Sequence, residues 1–183
     1  MSGRLTALLR MALVLFVLLL VQYTVGLNLR VAGVHPDLLV LLPVTAGLAA
    51  GPEEGCLVGF VTGVAADLFL AAPFGLSALV FCLVGFGVGA GADLLTASLA
   101  VVDRDAWWTA ALAAAAGSVV AVMLYAVLGA LLGQEQMLHL PLGAIAAVVA
   151  VVNAVLAYPV LVMVRWGLAP VRADERRHLG SVR

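Results

Sequence analysis

The residues best placed to do chemistry lie between Gly55 and Leu70, which read Gly-Cys-Leu-Val-Gly-Phe-Val-Thr-Gly-Val-Ala-Ala-Asp-Leu-Phe-Leu. Gly55, Gly59, Gly63 and Asp67 recur every four residues, so on a helix they form one slowly drifting stripe. Glycines at that spacing let another helix approach backbone to backbone within lipid. A carboxylate in hydrocarbon is costly, so Asp67 is expected to face protein or an interface rather than lipid tails. It also falls near the C-terminal end of its helix, where the macrodipole disfavours negative charge. One reading makes the stripe a docking surface for a partner helix, with Asp67 accepting a hydrogen bond from a partner donor. The plainer reading has Asp67 reach headgroup water or cap the turn over residues 71–75.

Other polar residues offer less. Asp37 follows Pro36 in the first turn of a hydrophobic stretch, where a carboxylate suits the helix dipole. Its plainer role is that of a helix-start residue at the interface. Asn153 falls near the middle of the last apolar run, where an amide is expected to bond a neighbouring helix. Asp93, Asp103, Arg104 and Asp105 read as a solvated loop. His35, His139 and His178 share no helical face, and Cys56 and Cys82 read as small apolar residues, so no metal site is expected. The chain lacks a Gly-rich phosphate loop, a nucleophile elbow and a HExxH motif. Neither an enzyme nor a cofactor is expected, and nothing points to nucleic acid.

The elements that position these residues must cross a membrane. Of 183 residues, 65% are hydrophobic and only 10% charged, against about 25% charged in soluble domains. Mean hydropathy is +1.21, and the apolar runs recur from end to end. The pattern predicts an all-α integral membrane protein, a single polytopic domain over residues 1–183 built as a six-helix transmembrane bundle. The spans fall at about 5–25, 36–50, 53–71, 75–92, 106–132 and 141–164, with a kink expected at Pro159. A short basic tail follows over 167–183.

All nine basic residues are Arg. With the N-terminus inside, only Arg30 falls outside, so both termini are expected in the cytoplasm. The second and third spans are short. A re-entrant pair would bury Glu53 and Glu54 at about 2.5 kcal/mol or more each, so two true, short spans are expected. The tail arginines are expected to fix topology, with anionic lipid as a sharper alternative. An echo at an offset of 26 residues matches Val58-Gly59-Phe60 with Val84-Gly85-Phe86 and Ala66-Asp67-Leu68 with Ala92-Asp93-Leu94. In so alanine-, glycine- and valine-rich a chain, chance accounts for it. Even so, each of the two helices presents small residues followed by a terminal Asp.

Several segments together look familiar. His35-Pro36-Asp37-Leu38-Leu39 opens one span, and a Gly51-Pro52 turn follows. Then come the stripe Gly55, Gly59, Gly63, Asp67 and the run Pro73-Phe74-Gly75-Leu76-Ser77-Ala78-Leu79. These resemble the bacterial rod shape-determining membrane protein MreD family, most closely over residues 34–83. On that resemblance Pro36, Asp37, Gly59, Asp67, Pro73 and Gly75 occupy the family's motif positions. Glu53 and Glu54 stand in a turn where the family often carries a basic residue.

The resemblance implies a non-catalytic scaffold subunit of the cell-elongation complex in the inner membrane, which serves rod shape and peptidoglycan synthesis. Its implied partners are a single-span MreC-like protein and, indirectly, the MreB filament, a RodA-type glycosyltransferase and a class B penicillin-binding protein. The implied fold is similar to the substrate-binding subunits of energy-coupling-factor vitamin transporters. A small-molecule transporter subunit is therefore the alternative, although a polar vitamin needs several convergent polar groups.

Overall fold

Apolar runs of this length leave the backbone no hydrogen-bond partner but itself, and helices are the result. The computed structural model describes residues 2–26, 36–69, 74–99, 103, 104, 106–133 and 141–180. Among them are six α-helices and no strand. They are α1 (Ser2–Val21, continued by a π-helical turn Gln22–Gly26), α2 (Leu41–Ala50), α3 (Pro52–Asp67), α4 (Leu76–Leu99), α5 (Trp107–Leu131) and α6 (Leu142–Gly180).

Four of these are long and apolar enough to cross a membrane: Arg4–Thr24, Leu76–Ser98, Trp107–Leu131 and Leu142–Ala169. The other two are expected to be short, and they are. The 10 residues of α2 rise about 15 Å and the 16 of α3 about 24 Å, against a hydrocarbon core of about 30 Å. The second expected span, 36–50, loses its first turn. Residues 36–38 are not helical, residues 39 and 40 form a turn, and the helix begins only at Leu41. Pro36 therefore precedes the helix instead of opening it. The last expected span, 141–164, is extended instead, because helix continues through Pro159 and through most of the predicted tail to Gly180. Arg30, His35, Pro73 and His139 lie outside the described residues, and so do the side chains of Arg172, Arg176 and Arg177.

Short as it is, α2 is the centre of the bundle. Every residue from Leu41 to Leu48 is buried, and α3, α4, α5 and α6 all pack against it. Val44 rests where Gly117 of α5 has no side chain. Thr45 is fully buried but satisfied, its hydroxyl donating to the Leu41 carbonyl at 2.6 Å. Gly51 ends the helix at φ +102°, a conformation that favours glycine, and Pro52 opens α3 at a position needing no N–H. The chain thus reverses within two residues.

The reversal sits at the end of the bundle where arginines gather. Arg10 stacks 4.6 Å over the Trp166 ring and donates to the Trp166 carbonyl at 3.2 Å. Arg104 pairs with Asp93 and donates to the Leu48 carbonyl at 3.4 Å. Arg165 in turn donates to the Arg104 carbonyl. Asp93 is therefore a helical residue in an exposed ion pair, not part of a free loop. Glu53 is exposed and Glu54 partly so at this same end, where water meets both at no burial cost.

This placement makes a labelling prediction. In a Cys56→Ser/Cys82→Ser background, Glu53→Cys should react with a membrane-impermeant thiol reagent from the same side as Arg4→Cys. Leu131→Cys should react from the opposite side.

Candidate functional site

Glycines set the closest contact in the fold. The stripe on α3 faces α4, which runs antiparallel to it. A Cβ at Gly55 would overlap the Gly85 carbonyl, one at Gly59 the Phe81 carbonyl, and one at Gly63 the Ala78 Cα. Gly85 and Gly89 answer from α4: added carbons there would strike the Gly55 carbonyl and Pro52. The glycine rows therefore overlap at Gly55 and Gly85, while Gly59 and Gly63 receive Phe81 and Ala78 of α4. Such an approach maximises dispersion contact where no hydrophobic effect drives helices together. It also joins Cys56 and Cys82 in a disulfide, with Cα atoms 4.0 Å apart. That corrects their reading as independent apolar residues.

Asp67 completes this contact. It is buried, at 5% exposure. Its Oδ2 accepts the Gly75 N–H at 2.8 Å and the Ala78 N–H at 3.4 Å, and its Oδ1 accepts the Ser77 N–H at 3.2 Å. Those groups open α4, whose first-turn N–H donors have no helical partner. The carboxylate sits poorly at the end of α3 but well at the positive end of α4. Gly75, at φ +98°, turns the chain so that its N–H reaches the acid. The expectation of a partner protein on Gly55, Gly59, Gly63 and Asp67 is corrected accordingly. The helix on the stripe is the chain's own α4, and the donors to Asp67 are its first turn.

A second polar assembly lies around Pro36 and Asp37. Non-helical backbone at membrane depth must find partners inside the protein. Gln22 supplies two: its Nε2 donates to the Pro36 carbonyl at 3.2 Å and its Oε1 accepts the Leu38 N–H at 2.9 Å. Asn153 supplies a third, its Nδ2 donating to the Asp37 carbonyl at 2.9 Å and to Ser118 Oγ at 2.8 Å. Asp37 Oδ1 accepts the Leu39 N–H at 3.0 Å and so caps its own turn. Asp37 is thus a turn-start residue, level with the middle of α5 and α6 rather than at a surface. Asn153 bonds neighbouring elements, as an intramembrane amide is expected to. Gln22 and Ser118 were visible only as isolated polar residues in apolar runs.

Asn153 Oδ1 and Ser77 Oγ are buried without a hydrogen-bond partner. Among the described residues no three His, Cys, Asp or Glu side chains gather as a metal site would require. The polar groups instead hold helix starts and breaks in place. A family model for the rod shape-determining protein MreD matches residues 3–166. The chain belongs to the MreD family. No curated protein and no solved structure gives a significant match. In this MreD chain the matched region takes in both polar assemblies and the glycine contact, and it connects them with a component of rod-shape determination.

Substitutions in the α3–α4 contact test its glycines and its acid separately. Gly59→Leu forces α3 and α4 apart and should cost about 1–3 kcal/mol, read as a lower apparent Tm in detergent. Asp67→Asn keeps one acceptor and should cost about 1.5–3 kcal/mol. Asp67→Leu strands three N–H groups and should destabilise more than Asp67→Asn.

Proposed function

We propose that this chain is a non-catalytic scaffold of the bacterial cell-elongation complex, lying in the inner membrane with its arginine end in the cytoplasm. Its direct partner is a single-span MreC-like protein. Through that partner it joins the MreB filament and the wall synthases, namely a RodA-type glycosyltransferase and a class B penicillin-binding protein. The orientation rests on Arg10, Arg104 and Arg165 sharing one end of the bundle.

One observation carries the docking role. α1 packs on α6 and stands away from α3, and a cleft of about 620 Å³ separates the two. Its walls run from Arg4 to Leu15 on α1 and from Glu54 to Thr62 on α3, with Leu42 and Leu168 also lining it. The twelve residues of α1 from Arg4 to Leu15 span about 17 Å, or three turns, so the cleft has the length of a helix contact. Ala7 and Ala12 keep the α1 wall low enough for a helix backbone to approach. Arg4 and Glu54 place opposite charges at its arginine end, enough to set the direction of an incoming helix. With the glycine stripe filled by α4, this cleft is the surface that supports partner binding. The six-span topology and the likeness to vitamin-transporter subunits belong to the same reading. The six-span topology is supported by the α2–α3 reversal reaching the arginine end.

The test is co-purification from membranes with an MreC-like protein. Leu57→Trp, on an exposed wall residue, should weaken capture about tenfold or more, the effect of blocking a contact centre. Leu112→Trp, equally exposed but on α5, should leave it unchanged. Equal capture by both variants would remove the cleft from the interface.

A further inference from the structure

The late start of α2 leaves room above it. From Ser118 the helix α5 continues 13 residues to Leu131, about 20 Å, and α6 covers about 16 Å between Leu142 and Asn153. No helix fills the same depth over Asp37 among the described residues. A cavity of about 200 Å³ occupies that space, between the far halves of α5 and α6. Asp37, Ser118 and Tyr125 supply its polar lining; most of the rest is aliphatic, including Val122, Ile145 and Val149. The volume falls below the roughly 300–1,000 Å³ of drug-sized sites, so the occupant is small.

Its chemistry is one-sided. One oxygen of Asp37 accepts the Leu39 N–H, and the other has no hydrogen bond among the described residues. Asn153, whose amide nitrogen bonds both the Asp37 carbonyl and Ser118, keeps an unpartnered Oδ1. Arg10, Arg104 and Arg165 are all engaged at the opposite end of the bundle. A buried acceptor needs a donor, and a buried carboxylate needs a cation. We infer that this cavity is a binding site for a small primary ammonium group carried on a short apolar body, with Asp37 as its counter-ion. The ammonium has three donors and no acceptor, and Asp37, Ser118 and Tyr125 each offer it an oxygen from the cavity wall. The same chemistry is offered by a free alkylamine and by the ammonium of an ethanolamine lipid headgroup. The site lies away from the α1–α3 cleft, so it stands or falls independently of partner docking.

The experiment uses the full chain in phosphatidylcholine nanodiscs, titrated with n-hexylamine and followed by apparent Tm. A saturable rise with n-hexylamine, absent with n-hexanol, is expected. Asp37→Asn should weaken the half-saturation concentration about tenfold, the effect of losing a charge-assisted bond. Should Asp37→Asn fail to fold, Val122→Phe, which narrows the cavity and leaves the acid in place, should abolish the saturable rise. Nanodiscs containing phosphatidylethanolamine separate the sources. If they raise the Tm of the wild type and compete with n-hexylamine, the headgroup is an occupant; if they do neither, the site takes free amines. Equal shifts with n-hexylamine and n-hexanol, or saturation unchanged in both variants, would overturn the site.

Discussion

Within a bilayer a backbone N–H or C=O that leaves its helix must find another partner in the protein. This chain leaves helical geometry at several points, and two of them depend on side chains from elsewhere in the fold. At the start of α4 the orphan donors meet Asp67, which closes the α3–α4 turn from the far side. At Pro36–Leu38 the exposed groups meet Gln22 from α1 and Asn153 from α6. Asp67, Gln22 and Asn153, costly in hydrocarbon, are thereby matched to backbone groups that would be costly alone. The aliphatic core packs around these fixed points.

The same constraint explains the shape of the bundle. Because the break at residues 36–38 is held at mid-depth, α2 can be short and still be wholly enclosed. Its brevity opens the cavity above Asp37. At the other end, glycines bring α3 and α4 into close contact, while a cleft remains between α3 and α1. Tight contact in one place and vacancy in another are two results of one packing arrangement.

The arginine end adds a second set of ties. Arg104 links α4 to the end of α2, and Arg165 links α6 to the same loop. These are exposed or half-exposed contacts, each worth little alone. Their contribution is positional, since they hold the short helices at the depth where Glu53 and Glu54 can stay in water.

Sequence alone determined that the chain is a membrane protein, where its long helices lie, and which arginines share an end. Hydropathy and charge are properties of a residue and its bilayer depth, so they can be read along the chain. It also marked Asp67 and the glycine stripe as one face, because helical periodicity fixes a face whatever lies against it. What lies against it was decided only in three dimensions. A glycine row looks the same whether it receives a partner's helix or the next helix of its own chain, and here it received α4. The late start of α2 at Leu41, the Cys56–Cys82 pairing and the meeting of Asn153, Ser118, Asp37 and Gln22 were equally hidden. Each depends on which helices become neighbours, and apolar residues facing lipid carry the same signature as those facing protein.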